Sequence, residues 1–129
     1  MEYLDTTAGS VFITTGSKEL AGFTKLRDYR ERCYVRVLPI SDVVASCEKM
    51  GFKTANLICM QGPFNKELNL AMLKSCGASY MVTKESGTRG GFKEKVEAAL
   101  IADAKVLVIG RPAEYGGESH SLDEMIGII

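Results

Sequence analysis

Val11-Phe12-Ile13-Thr14-Thr15-Gly16-Ser17 is a short apolar run that ends in hydroxyls and a glycine, with a helical pattern directly behind it. Three more stretches repeat the design. Leu57-Ile58-Cys59-Met60 runs into Gln61-Gly62-Pro63-Phe64, Tyr80-Met81-Val82 into Thr83-Lys84-Glu85-Ser86-Gly87-Thr88, and Val106-Leu107-Val108-Ile109 into Gly110-Arg111-Pro112. Strands are expected at 11–14, 33–38, 54–60, 79–83 and 105–109. Their nearly continuous apolar character suits a parallel sheet covered on both faces.

Helices are expected in the gaps. Residues 18–26 place Leu20, Phe23 and Leu26 at helical spacing. Residues 41–50 put Val43, Val44, Cys47 and Met50 on one face, with Ser41 as N-cap and Gly51 as stop. Residues 65–76 carry Leu68, Ala71, Met72 and Leu73 and end at Gly77; residues 91–102 carry Phe92, Val96, Ala99 and Leu100. These stripes face a core. The alternation predicts one α/β domain over 1–129, a three-layer sandwich around a five-stranded parallel Rossmann-like or flavodoxin-like sheet. Strand orders 2-1-3-4-5 and 3-2-1-4-5 both fit, and the first is the working expectation. In either, ligands bind outside the carboxyl ends of the strands, with 14–17 at the switch point.

The 129 residues fit a single domain. Sixteen basic residues balance sixteen acidic ones, so the basic excess of a nucleic-acid footprint is missing. No apolar run approaches the roughly 18 residues of a membrane span, and no leader pattern precedes the first strand. Cys33, Cys47, Cys59 and Cys76 are widely spaced and read as buried hydrophobes in a reducing cytoplasm. No metal site is expected, and the single histidine, His120, reads as an exposed loop residue in a tail over 113–129. Within that tail, Ser121 and Glu124 have capping-box spacing and predict a short helix through Met125 and Ile126. Tyr3 and Leu4 read as the last turn of an amphipathic helix, as in a domain cut from a longer protein.

The candidate chemistry lies in the loops. Thr14, Thr15, Gly16 and Ser17 combine hydroxyls, a permissive glycine and a helix start, which suits a phosphate or a simple capped turn. The dinucleotide fingerprint is not matched, and Arg36 stands about 20 residues beyond Gly16 where an acidic residue would hold a ribose. It suits a 2′-phosphate or a carboxylate on the rim. Thr83, Lys84, Ser86, Gly87 and Arg89 suit a pyrophosphate. Gln61, Gly62 and Pro63 offer an amide and a close backbone approach, and Phe64 is either a stacking face or a lid. No catalytic triad, metal cluster or carboxylate pair is present, so the catalytic residues stay unassigned and a bound cofactor would carry the chemistry.

In order along the chain, Val11-Phe12-Ile13-Thr14-Thr15-Gly16-Ser17-Lys18-Glu19-Leu20-Ala21-Gly22-Phe23, Arg36-Val37-Leu38-Pro39, Gln61-Gly62-Pro63-Phe64, Val82-Thr83-Lys84-Glu85-Ser86-Gly87 and Ile109-Gly110-Arg111-Pro112 resemble the precorrin-6A reductases of cobalamin biosynthesis. The likeness runs over 11–112. It implies the C-terminal half of a two-half reductase that holds NADPH or NADH between its halves and reduces one double bond of a corrin-precursor macrocycle. It implies a cofactor rim of Thr14, Thr15, Gly16, Ser17, Gln61, Gly62, Pro63, Thr83, Lys84, Ser86 and Gly87. It makes Lys84, Arg89 and Arg111 clamps for the substrate's carboxylates. The implied partners are the macrocycle and an N-terminal domain of the same protein, with no nucleic acid and no membrane. No proton donor is assigned; Lys84 stands as a trial candidate. The alternative is a non-catalytic nucleotide-binding or regulatory module. A flavodoxin-like carrier is disfavoured by the lack of tryptophan and of net charge.

Overall fold

A computed structural model describes residue 4 and residues 6–84, 92–109 and 126–128. Short β-branched and aromatic runs become strands, and the periodic stretches between them become helices. In chain order they are β1 (Ser10–Ile13), a 3-10 turn (Ser17–Glu19), α1 (Leu20–Phe23), α2 (Tyr29–Arg32), β2 (Cys33–Val37), α3 (Ser41–Met50), a 3-10 turn (Thr54–Asn56), β3 (Leu57–Cys59), α4 (Lys66–Cys76), β4 (Ala78–Lys84), α5 (Phe92–Ile101), β5 (Lys105–Ile109) and β6 (Ile126–Ile128).

The sheet order is β3-β2-β1-β4-β5-β6. β1 to β5 are parallel, and β6 pairs antiparallel with β5. The Rossmann-like alternation is therefore present, but the expected order 2-1-3-4-5 is corrected to 3-2-1-4-5. The switch point lies between β1 and β4, so the loop after β1 neighbours the end of β4 and is separated from β3 by β2. The predicted helix through Ile126 is corrected too. Ile126 opens an edge strand, because the free backbone of β5 offers it a ladder of hydrogen bonds; residues 121–125 lie outside the described residues.

Period-two alternation sends neighbouring residues to opposite faces of the sheet. Val11, Ile13, Val35, Val37, Val82 and Leu107 pack in one cluster with Leu20 and Phe23 of α1 and Cys47 of α3. Phe12, Met81 and Val106 pack in the other with Met72, Leu73 and Cys76 of α4 and Ala98 and Ala99 of α5. Leu4 is helical and fully buried in the first cluster.

Several local expectations need revision. Residues 18–26 form a 3-10 turn and a single turn of α-helix instead of one helix, and α2 is an additional short helix. Residues 54–56 are a 3-10 turn ahead of β3. Ser41 is the first residue of α3 and makes no capping bond. The side chain that caps is Asn65, which accepts from the Leu68 N–H at 2.8 Å. Gly51 and Gly77 end α3 and α4 in the left-handed conformation, as their type predicts. Ala71 and Leu100 are exposed although their stripes point inward elsewhere. Cys59 is exposed, while Cys33, Cys47 and Cys76 are buried and free. No helix among the described residues is long and apolar enough to cross a membrane.

Candidate functional site

A cavity of about 320 Å³ opens at the carboxyl edge of the sheet. Thr14 and Gly16 border it from the loop after β1, Arg36, Val37 and Leu38 from β2, Met60, Gly62, Pro63 and Phe64 from the segment after β3, and Lys95 from α5. That volume is at the small end for ligand pockets, enough for one end of a large ligand.

Its most unusual wall is Arg36, only 6% exposed although it is charged. Arg36 lies on the α4–α5 face of β2, in register with Ile58. Its guanidinium carbon sits 3.7 Å from the Phe64 ring centroid and 5.5 Å from that of Phe12, an arrangement in which the ring quadrupoles attract the cation. Nη1 donates to Asn69 Oδ1 at 2.7 Å and to Met72 Sδ at 3.3 Å. Asn69 is fully buried, and its amide donates to the carbonyls of Asn65 and Phe64. Burial pushes the guanidinium pKa down to about 10, so Arg36 stays charged at neutral pH.

Lys95 is the second cation of the cavity. Its Nζ donates to Thr83 Oγ1 at 3.2 Å, and Thr83 is completely buried. Burial and, secondly, the charge of Arg36 push the Lys95 ammonium from 10.5 to about 8.

The loop after β1 behaves differently from the expectation. Thr14 donates its hydroxyl to the Val82 carbonyl at 2.9 Å, and Thr15 donates to the Gly16 carbonyl at 3.3 Å. These hydrogens are therefore used within the protein, one on β4 and one inside the loop. The helix start behind the loop is a three-residue 3-10 turn, too short for a strong dipole end. Gly16 does adopt φ 91°, and nothing lies within 4 Å of where its Cβ would stand, so the backbone is open toward the cavity. The close approach at Gly62 serves the protein itself: a Cβ there would meet the Phe64 ring at 3.0 Å. Phe64 is a lid over Arg36.

Of the predicted rim, Thr14, Gly16, Gly62 and Pro63 come together around the cavity, and Thr83 supports Lys95 from below. Thr15, Ser17 and Gln61 do not border it. Lys84 points to the other face, where its Nζ pairs with Glu19 Oε1 at 2.8 Å. Ser86, Gly87, Arg89 and Arg111 lie outside the described residues, as do Glu85, Thr88 and His120. Arg36 faces no carboxylate among the described residues.

Asn69 and Lys95 were absent from the sequence-based candidates. Both carry the same signal. Asn69 heads the stripe Met72, Leu73 and Cys76; Lys95 heads the stripe Ala98, Ala99 and Ala102. A polar residue at i, before apolar residues at i+3, i+4 and i+7, faces inward at the helix end nearest the strands' carboxyl edge.

The whole chain, residues 1–129, matches the family model described as Precorrin-6x reductase CbiJ/CobK. The chain belongs to the precorrin-6x reductase family. It is similar to the cobalt-precorrin-6A reductase of Priestia megaterium, with 41% identity over 121 residues, covering 92% of this chain and 48% of the relative. The enzyme of that name from Salmonella typhimurium is 37% identical over 102 residues, covering 79% of this chain and 38% of the relative. The one from Methanothermobacter thermautotrophicus is 37% identical over 122 residues, covering 85% and 40%. The chain thus spans about half the length, or less, of these curated relatives. No solved structure matches the chain significantly.

Proposed function

We propose that this chain is the C-terminal half of a cytoplasmic, nicotinamide-dependent reductase of the corrin ring, acting on precorrin-6A or its cobalt form together with an N-terminal half of the same protein. The observation that carries this is the family match over 1–129, joined to relatives named for that reduction. The cavity supports it. It lies at the carboxyl edge of a 3-2-1-4-5 sheet, where this architecture binds ligands.

NADPH or NADH would supply the hydride when bound. The open backbone at Gly16 and the exposed turn at Gly62 and Pro63 suit the approach of such a cofactor, and the cavity takes one end of it. Thr14, Thr15, Ser17, Gln61 and Thr83 complete the proposed rim, with Ser86 and Gly87. Arg89 and Arg111 remain proposed clamps for the carboxylates of the macrocycle. Lys84 serves as a clamp only by leaving Glu19. The task of these residues is to bind and orient, which is where hydride transfer gains most from a protein.

The test is oxidation of NADH or NADPH by the full-length protein with precorrin-6A and with its cobalt form. Turnover with either substrate supports the reading; no turnover with either, by folded protein, overturns it. Tight binding of AMP without preference for a nicotinamide dinucleotide would favour the non-catalytic module instead.

A further inference from the structure

Two cations share the cavity, Arg36 buried and Lys95 half-buried, and every partner found for them among the described residues is neutral. Arg36 Nη1 bonds to an amide oxygen and a thioether sulfur, and Lys95 to a hydroxyl. The ion pairs found among the described residues, Lys53–Glu31 and Lys84–Glu19, lie elsewhere. Buried charges are normally paired, since desolvation is offset only by an opposite charge. Among the described residues, the charge that acts on Lys95 is that of Arg36, and it repels.

The geometry also says which edge of Arg36 carries no bond among the described residues. Phe64 covers the guanidinium, and Nη1 is spent on Asn69 and Met72. Nε and Nη2 have no hydrogen-bond partner among the described residues. They form the planar fork that takes two oxygens of one anion. Asn69, itself held by two carbonyls, keeps that fork from turning.

We propose that Arg36 and Lys95 form an oxyanion-binding subsite, which takes a phosphoryl or carboxylate group on the Nε–Nη2 edge of Arg36 with Lys95 as second donor. The apolar body of the same ligand lies along Leu38, Met60 and Phe64, which wall the cavity. The subsite stands on this cavity alone and does not require the reductase reading. A phosphoryl group would come from a dinucleotide and a carboxylate from a tetrapyrrole side chain. Both present the same chemistry to the pair.

The experiment compares the 129-residue chain with Lys95→Met and Lys95→Arg by thermal melting and calorimetric titration. The probes are inorganic pyrophosphate and uroporphyrin, a tetrapyrrole polycarboxylate, each against sodium chloride at matched ionic strength. Either probe should raise the melting temperature of the parent chain above the chloride control. Lys95→Met should weaken that probe's binding about tenfold or more, and Lys95→Arg should retain most of it. Without ligand, Lys95→Met should melt higher than the parent, because an unpaired cation has been replaced by a methylene chain and a thioether. Titration at pH 8 in buffers of different ionisation enthalpy should show more proton uptake in the parent than in Lys95→Met, since the bound anion favours the protonated form of an ammonium poised near that pH. Among the described residues, Arg36 is the charged group that acts on Lys95, and it holds its proton at that pH.

A response to pyrophosphate assigns the phosphoryl source, and a response to uroporphyrin alone assigns the carboxylate source. If neither probe acts beyond chloride, or if Lys95→Met binds as tightly as the parent, the subsite is refuted. Neither result bears on whether the full-length protein oxidises a nicotinamide, so the two readings fail separately.

Discussion

Lys84 and Lys95 both lie near the carboxyl edge of the sheet, on opposite faces. Lys84 ends β4 on the side of α1 and meets Glu19 in a partly exposed ion pair. Lys95 heads α5 on the other side and, among the described residues, meets the Thr83 hydroxyl and the repulsion of Arg36. One face has neutralised its cation from within; the other holds two cations ready for a charge from outside. A lysine in a glycine-rich loop motif draws attention in a sequence, yet whether it is available depends on the residue opposite.

The sharpest way to break this contrast is Asn69→Leu. It strips the acceptor from Arg36 Nη1 and orphans a buried charge, so it should cost about 2–3 kcal/mol in a urea titration. A cost near zero would mean that Arg36 is held by Phe64 and Phe12 alone.

The pH dependence of stability comes next. Lys95 is lowered from 10.5 to about 8, so between those values the unfolded chain binds the proton that the folded chain has released. Stability therefore rises with pH through that window, by about 2 kcal/mol once partial solvent access is allowed for. Above about 9 the buried thiols work against it, because Cys33 and Cys76 are pushed up to about 12 and about 11 and stay protonated only in the fold. The difference between the parent and Lys95→Met isolates the lysine, and should narrow as pH rises from 8 to 10.5.

Lys84→Met should be milder. The pair is 42% and 27% exposed on its two side chains, and such pairs contribute about 1 kcal/mol or less. A loss as large as that of Asn69→Leu would erase the distinction between the faces.

The smallest signal is thiol labelling. Cys59 should react fast and Cys33, Cys47 and Cys76 slowly. An oxyanion that braces the α4–α5 face should slow Cys76 more than Cys33, because each thiol reports the opening of its own face.

Much of the fold was legible along the chain. The 3.6-residue stripe of α3 with Gly51 behind it, the stop at Gly77 and the five parallel strands follow from local periodicity and from glycine's tolerance of positive φ. Local patterns carry this because side chain and backbone within one element see each other directly. The candidate site was half legible: Gly16, Gly62 and Arg36 stood out, while Asn69 and Lys95 hid at the heads of apolar stripes.

Tertiary structure decided the rest. Orders 2-1-3-4-5 and 3-2-1-4-5 use the same strands and helices and differ only in which edge of β1 receives β4, a matter of long-range pairing and of how the helices cover each face. The edge of β5 turned residues 126–128 into a strand where a local capping pattern suggested a helix. Whether a cation is spent or free is likewise non-local. Glu19 stands 65 positions before Lys84, yet the two are 2.8 Å apart, whereas no described carboxylate reaches Lys95. Charge pairing is a property of distance in space, which the order of residues does not contain.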